Sequence, residues 1–282
     1  ITLMRHSRSL RTLAGLGVAA ALVLSACSSS STGSSSSSNG ATTITVAASP
    51  SPHAKILKYI QDNLAKDAGI NINIKEFTDY DLPNRALDQG EVDATYHQTV
   101  PYLEKAEQQF NYDFTPGKGI HLEPLAVYSS KHKSLDELPE KGGIIGVISD
   151  VTNQERALRL LAANGFVEIP ASGDVNVYTV KKLKNFDFKE IDGPVLVSNL
   201  GETDYSVING NFAQEGGLAP SRDGLAVESP ENNPSVNVLV WKTNVSGDKA
   251  EAVKKLDELL HSDQVKKYIE DTWKDGSVIP AF

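Results

Sequence analysis

The sequence predicts an α/β protein made of two similar lobes, with a ligand held in the cleft between them. A β-α-β pattern opens the globular part, because residues 43–48 and 70–77 read as strands on either side of an amphipathic helix. Residues 144–165 form a second unit, a β-branched apolar strand followed by a turn and a helix. The tetrapeptide GEVD at residues 90–93 is echoed by GETD at 201–204, and each precedes a strand ending in polar residues. Together these features favour two parallel-sheet lobes that share a cleft.

The N-terminal segment is predicted to direct export. Residues 1–26 combine a basic end, an apolar run and a junction of small residues, which are the parts of a signal peptide. The sequence LSAC at residues 24–27 resembles the lipobox of bacterial lipoproteins, in which Cys27 becomes the lipidated first residue and attaches the chain to the membrane. An ordinary signal peptide with an incidental cysteine is the alternative. Cys27 is the only cysteine, which excludes a disulfide and thiol catalysis.

The domain boundaries follow from composition and from the order of the elements. Residues 27–41, the cysteine and a serine-rich stretch, are expected to form a flexible linker. Lobe 1 is assigned to residues 42–127 and lobe 2 to residues 128–234, with the crossing near Leu125–Tyr128. The apolar strand at residues 235–241 returns the chain, so that residues 235–282 complete lobe 1.

The remaining elements are predicted from apolar periodicity and from turn residues. They are helices at residues 82–90, 213–218, 249–260 and 263–273, and strands at residues 90–98 and within 119–130 and 206–208.

Composition and motifs narrow the class of function. The net charge of -9 argues against a nucleic-acid partner. The sequence contains no catalytic motif or nucleophile with a recognisable base, so an enzyme is not expected. The histidines at positions 53, 97, 121 and 132 lack the close spacing of a metal site and are interpreted as separate surface or cleft residues. No cofactor or metal is predicted, and the partner is sought among small molecules or proteins.

Arg156 is the first candidate ligand contact. Thr152 and Glu155 fit a capping box, which places the helix start near Asn153 and Arg156 one turn inside. The free N–H groups and dipole of a helix start favour an anion, and the planar guanidinium matches a carboxylate. The sequence therefore predicts a carboxylate-bearing ligand, although a solvated Arg156 or one paired with Glu155 remains an alternative.

Aromatic and amide side chains follow the other predicted strands. Tyr80, Tyr96 and Tyr102 would give an apolar wall with a polar rim in a cleft, or would pack under a loop. The amides would supply donors and acceptors to an amino acid, or would be turn residues. They are Asn153, Asn209, Asn211 and Asn237.

The chain from about residue 44 to its end resembles the MetQ or NlpA family of methionine-binding lipoproteins. The resemblance rests on PHA at residues 52–54, FTDYDLPN at 77–84, GEVDA at 90–94, VPYLEK at 100–105, HLEP at 121–124, TNQERAL at 152–158, INGNFA at 208–213, VNV at 236–238 and the terminal VIPAF. It implies a two-lobed periplasmic-binding-protein fold of type II that closes on an amino acid and docks to an ABC permease and its ATPase. It also implies an extracytoplasmic, lipid-anchored protein.

The resemblance assigns roles to individual residues. Arg156 would bind the substrate carboxylate with help from Asn153, while Asn209 and Asn237 would hold the other backbone groups of the amino acid. The side chain would lie between tyrosines and beside further polar residues. These are Tyr80, Tyr96, Tyr102, His97, Thr99 and Asn211.

Two positions depart from the family pattern. His97 stands where an aromatic residue is common, and Thr99 where a histidine is common. Both lie at the expected side-chain end of the pocket, so preference could be broadened or shifted from L-methionine. The alternatives to methionine capture are a binding protein for another amino acid or short peptide, and a surface adhesion or interaction lipoprotein.

Overall fold

A computed structural model describes residues 40–282. The predicted signal peptide, Cys27 and nearly all of the linker lie outside the described residues. Among residues 40–282, none of the helices combines the length and hydrophobicity needed to cross a bilayer.

Strands and helices alternate along much of the described chain. The strands are β1 (Thr42–Ala48), β2 (Ile70–Glu76), β3 (Ala94–Thr99), β4 (Phe114–Pro116), β5 (His121–Leu122), β6 (Ala126–Tyr128), β7 (Gly143–Ile148), β8 (Val167–Glu168), β9 (Lys181–Lys182), β10 (Phe186–Ile191), β11 (Tyr205–Ile208), β12 (Ala226–Val227), β13 (Asn237–Lys242) and β14 (Ile279–Pro280). The α-helices are α1 (Lys55–Asn63), α2 (Asp81–Asp88), α3 (Val100–Phe110), α4 (Val151–Ala163), α5 (Gly210–Glu215), α6 (Pro220–Asp223), α7 (Gly247–Leu260) and α8 (Asp263–Thr272).

The first sheet has the strand order β14-β5-β13-β3-β1-β2, and β4 also pairs with β13. β1 lies parallel to β2 and β3, as the opening β-α-β pattern predicts, while β13 returns antiparallel to β3. Alternate residues of β1 point to opposite faces of the sheet. Val46 packs with apolar residues of α1, α7 and α8, and Ala47 packs with those of α2 and α3. Helices therefore cover both faces.

The second sheet has the order β10-β7-β11-β6-β12. β7 is parallel to β10 and β11, and β6 is antiparallel to β11. Ile145 and Val147 pack against α4 on one face, whereas Ile148 packs towards α5 on the other. Along the chain, α4 follows the carboxyl end of β7 and α5 follows the carboxyl end of β11.

Within residues 40–282 two connecting segments, called passages below, run from one sheet to the other, and they contact each other. β6 belongs to the second sheet, so the first passage is residues 123–125, earlier than the boundary predicted at residue 127. The second passage runs from Glu228 to β13. The Glu228 N–H donates to the Leu125 carbonyl oxygen at 2.8 Å, and the Leu125 N–H donates to Oε1 of Glu228 at 3.3 Å.

Two predicted helix starts were wrong for local reasons. α4 begins at Val151 because the carboxylate of Asp150 accepts hydrogen bonds from the N–H groups of Thr152 and Asn153, and so replaces the expected capping box. The helix predicted at residues 213–218 is α5, which begins at Gly210 directly after the extended residue Asn209.

Three of the four histidines at positions 53, 97, 121 and 132 are buried in the first lobe, so their interpretation as surface residues was wrong. His53 and His121 are not separate, because their ring centroids lie 5.0 Å apart. His53, His97 and His121 are 1%, 3% and 0% exposed. Burial lowers the pKa of His53 to about 4, with His121 lowering it further and Glu123 and Asn237 opposing. Burial likewise lowers the pKa of His97 and of His121 to about 3. All three imidazoles are therefore neutral near pH 7.

These depressed pKa values predict acid destabilisation. Below a pH of about 6.5, the pKa of an unperturbed histidine, the unfolded chain takes up protons at these positions and the native chain does not. Stability is then lost as the pH falls from about 6.5 towards 4, with a limiting slope of about 1.4 kcal/mol per pH unit for each histidine. Denaturant unfolding at pH 7, 6 and 5 measures the slope. His97→Gln should reduce it by about 1 kcal/mol per pH unit, and equal slopes for both chains would contradict the assignment.

Candidate functional site

A small cavity lies beside the two passages and collects the polar strand ends of both sheets. Nine of the ten predicted ligand contacts line it, and Gln98, Glu123 and Gly210 complete the lining. The nine are Tyr80, His97, Thr99, Tyr102, Asn153, Arg156, Asn209, Asn211 and Asn237. The space open to the centre of a water-sized molecule is about 20 Å³, the room of about one buried water. Binding of an amino acid therefore requires the walls to move apart.

The topology explains why these side chains meet. Asn153 and Arg156 lie in the first turns of α4, after β7, and Asn209 follows the adjacent parallel strand β11. From the first sheet come the end of β3 with His97 and the start of β13 with Asn237. The carboxyl edge of the second sheet thus faces residues from the first sheet, as expected for α/β proteins.

Tyr96 is an exception to the predicted set. It is 0% exposed and packs in the core of the first sheet with α1, α7 and α8. β3 and β13 shift register between Val238 and Leu239, so that His97 is left without a partner across the ladder. Alternation along β3 then directs Tyr96 away from the cavity, and the prediction that it flanks the ligand was wrong.

The aromatic end of the cavity is built around Tyr80. Its ring centroid lies 4.9 Å from that of Phe212 and 5.8 Å from that of Tyr102, and its hydroxyl donates to Oδ1 of Asn211. Tyr102 in turn donates its hydroxyl to Asp81 at 2.7 Å. This wall offers aromatic surface to a side chain, while its hydroxyl groups are already hydrogen-bonded.

His97 and Thr99, the two departures from the family pattern, also have protein partners. Nε2 of His97 lies 3.1 Å from the carbonyl oxygen of Tyr80, so the imidazole supports the Tyr80 loop. Oγ1 of Thr99 accepts from the N–H of Tyr102 and caps α3. Within residues 40–282, Nδ1 of His97 is buried without a partner, which leaves one polar atom at this end of the cavity.

Arg156 is held by both passages and is not a free cation. Its Nε donates to Oε2 of Glu228 at 2.9 Å, and its Nη2 donates to Oε1 of Glu228 at 2.6 Å and to the carbonyl oxygen of Glu123 at 2.9 Å. Burial opposes ionisation of Glu228, but the hydrogen bonds and charge of Arg156 hold the pKa of that carboxyl below its usual value. Among the described residues Nη1 has no acceptor, so that edge of the guanidinium remains for a ligand.

A chain of amides sets the direction of Asn209. Nδ2 of Asn153 donates to Asp150, and Nδ2 of Asn209 donates to Oδ1 of Asn153 at 2.9 Å. Because its N–H₂ group is engaged, Asn209 leaves Oδ1 as an acceptor for the cavity. Asn153 therefore orients Asn209 and also lines the cavity, so its expected help to Arg156 stays a prediction.

The side-chain amide of Asn237 has its oxygen engaged, whereas that of Asn209 has its nitrogen engaged. The Nε2–H of the neutral His53 donates to Oδ1 of Asn237, at 2.8 Å. The Nδ2 group of Asn237 is therefore left as a donor for the cavity.

Glu123 is the functional candidate that sequence reasoning missed. It is 6% exposed, lines the cavity, and has Oε2 2.7 Å from Nε2 of His121 and 3.4 Å from Nε2 of His53. Burial raises the pKa of Glu123, while His53, the charge of Arg156 and the backbone N–H of Asn211 act to lower it. The only sequence signal was a glutamate between apolar residues at a strand end.

The same three residues are the closest approach to a metal site in the described part of the chain. The donor atoms of His53, His121 and Glu123 lie within 4.8 Å of one another. Both nitrogens of His121 are, however, already engaged, by Tyr96 and by Glu123. The geometry therefore supports a hydrogen-bonded network at this position.

The chain is similar to known proteins over nearly all of its described residues. The model of the family described as NlpA lipoprotein matches residues 44–282. The methionine-binding lipoprotein MetQ of Bacillus subtilis is 36% identical over 84% of this chain and 87% of its own length. A protein from Actinomyces odontolyticus, whose crystal structure is known, is 65% identical in sequence to this chain. The alignment covers 86% of this chain and 99% of that one, with a TM-score of 0.83.

A nutrient-binding protein of Burkholderia cenocepacia, solved bound to methionine, is 32% identical. It covers 85% of this chain and 100% of its own, with a TM-score of 0.79. The resemblance found in the sequence and the two-lobed type II binding-protein fold that it implied are confirmed. The chain belongs to the NlpA lipoprotein family.

Proposed function

We propose that this protein captures L-methionine, or a close relative, and delivers it to an ABC importer. The observation that carries the proposal is the division of the free polar groups of the cavity into hydrogen-bond donors and hydrogen-bond acceptors. Arg156 Nη1 and Asn237 Nδ2 are the donors, and Glu123 and Asn209 Oδ1 are the acceptors. An α-amino acid needs this division, because its carboxylate only accepts hydrogen bonds and its ammonium group only donates them.

The charges of the site favour a zwitterion. Glu228 already neutralises Arg156, and the remaining carboxylate in the lining is Glu123. The ammonium group of an amino acid would pair with Glu123, while its carboxylate would take the open edge of Arg156. A carboxylic acid without an amino group would leave the buried charge of Glu123 without a counter-ion from the ligand, which is costly.

The side chain of the ligand would lie along the Tyr80 wall. Tyr80, Phe212 and Tyr102 provide aromatic surface suited to a thioether. His97 and Thr99 lie at this end, so the hypothesis of a broadened or shifted side-chain preference stands. The methionine bound to the Burkholderia relative supports a ligand of this size.

Membership of the family supports the proposed delivery role and location. A relative from Coxiella burnetii is described as an ABC transporter periplasmic substrate-binding protein. Lipid attachment at Cys27 would hold the protein on the extracytoplasmic face of the cell membrane, where it would meet a permease and its ATPase. Substrate binding is the activity proposed, and no catalytic step is required.

A short peptide is the second candidate, because a groove of about 570 Å³ adjoins the cavity. The groove shares Thr99, Asn153 and Arg156 with the cavity and continues along α4 past Arg159. The second and later residues of a peptide ligand would enter this groove if the Arg156–Glu228 ion pair broke.

A calorimetric titration tests the proposal. The chain is stripped of bound ligand by unfolding and refolding, then titrated with L-methionine, the other amino acids and methionine-containing dipeptides. We expect L-methionine to bind with a Kd of about 1 μM or lower. Selective binding of another amino acid would move the substrate, a preference for dipeptides would favour the second candidate, and no heat across the panel would contradict ligand capture.

Arg156→Lys tests the hydrogen-bond donors. Lysine keeps the charge but cannot bond Glu228 and a ligand carboxylate with separate edges. We expect the Kd for L-methionine to rise about 10- to 100-fold, which corresponds to the loss of about one charge-assisted hydrogen bond. Alanine is less suitable, because it would leave the largely buried charge of Glu228 without its counter-ion.

Arg159→Lys is the matched control for this measurement. Arg159 lies on the same helix, is exposed and pairs with Glu155. Its replacement should leave the Kd within about twofold. Equal effects of the two substitutions would contradict the role assigned to Arg156.

A further inference from the structure

Tyr96 lies outside the cavity, yet two hydrogen bonds connect it to the cavity carboxylate. Its hydroxyl oxygen is 2.5 Å from Nδ1 of His121, and Nε2 of His121 is 2.7 Å from Oε2 of Glu123. Tyr96 and His121 are 0% exposed, so water does not replace either contact. Protein groups alone therefore determine which atom donates in each bond.

The positions of the protons follow from the chemistry of the three groups. Burial keeps the His121 imidazole neutral, with a pKa lowered to about 3, so it carries one N–H. An ionised Glu123 can only accept, which places that N–H on Nε2 and leaves Nδ1 as an acceptor. The hydroxyl of Tyr96 fits this state, because burial and the charge of Glu123 raise the pKa of Tyr96 and keep its proton available.

The opposite arrangement satisfies fewer groups. A protonated Glu123 would donate to Nε2, and the N–H of His121 would then lie on Nδ1, facing Tyr96. The hydroxyl proton of Tyr96 would lose its acceptor, since within residues 40–282 it has no partner except His121. A buried donor without a partner costs about 1–3 kcal/mol. Tyr96 therefore favours the tautomer in which His121 donates to Glu123.

We propose that Tyr96 is a positioning residue for amino-acid recognition, which acts by fixing the tautomer of His121 so that Glu123 faces the cavity as an ionised acceptor. The inference rests on the proposed function, in which Glu123 receives the ligand ammonium group. His121 donates to Oε2 and the backbone N–H of Asn211 also bonds the carboxylate, so the remaining lone pairs of Glu123 are left for the ligand. Tyr96 thereby contributes to the preference for ligands that carry an amino group, without touching them.

Other groups around Glu123 act on the same carboxylate and are left unchanged by the test. His53 lies 3.4 Å from Oε2 and Arg156 donates to the backbone carbonyl of Glu123. Tyr80 and Glu215 also lie near enough for their pKa values to be raised by its charge. A substitution at Tyr96 removes one hydroxyl and alters none of these groups.

The test compares two ligands and two variants of the full chain, purified in detergent. L-Methionine carries the ammonium group, and 4-(methylthio)butanoate has the same side chain and carboxylate without it. Tyr96→Phe should raise the Kd for L-methionine about tenfold and leave that for the des-amino acid within twofold. Tyr128→Phe is the control, because Tyr128 is also buried and its hydroxyl has no partner in the described chain. It should change neither Kd.

The other outcomes separate failure of the positioning role from failure of the proposed function. Equal weakening of both ligands by Tyr96→Phe, or no change in either, would overturn the positioning role while leaving the proposed function intact. Failure of the unsubstituted chain to bind L-methionine would overturn both. Nitrogen-15 NMR of the unsubstituted chain does not depend on the folding of a variant. It should find His121 protonated at Nε2, and protonation at Nδ1 would contradict the inference.

Discussion

The ion pair between Arg156 and Glu228 is the interaction on which the site depends. Through it the first turns of α4 are bonded to both passages of the chain, because Nη2 reaches the Glu123 carbonyl as well as the Glu228 carboxylate. Both side chains are largely buried, at 13% and 16% exposure, and removing one partner of such a pair typically costs about 3–5 kcal/mol. The pair orients the guanidinium and uses two of its nitrogens. A ligand then meets a single, fixed edge of the arginine.

The polar side chains of the cavity are oriented by hydrogen bonds to other protein groups. Asp150 orients Asn209 through an intervening amide, His53 orients Asn237, and His121 holds Glu123. Buried polar groups that are satisfied on one side have a defined donor or acceptor left on the other. Selection of a zwitterion therefore needs no large rearrangement of these groups, only enough separation of the walls to admit it. Histidines kept neutral by burial suit this task, because their neutral form donates through only one nitrogen.

The sequence was sufficient for the elements with strong apolar periodicity and for the strand ends that meet at the cavity. It failed where distant residues decide a local choice. β6 is apolar throughout, so nothing in its own residues shows which sheet it joins. Glu123 was missed because a glutamate between apolar residues is a weak signal in an acidic protein, and its partner His53 lies 70 positions earlier in the sequence. The prediction for Tyr96 failed because the register of β3 is irregular. Asp150 was overlooked as the N-cap because a competing capping-box sequence begins two residues later.

The most direct measurement is a crystal structure of the protein with L-methionine bound. We expect the ligand carboxylate within hydrogen-bonding distance of Arg156 Nη1 and Asn237 Nδ2, about 3 Å. The ammonium group should contact Glu123 and Asn209, with the Arg156–Glu228 pair still formed. A ligand bound in the reverse orientation, or one whose carboxylate displaces Glu228 from Arg156, would contradict this arrangement.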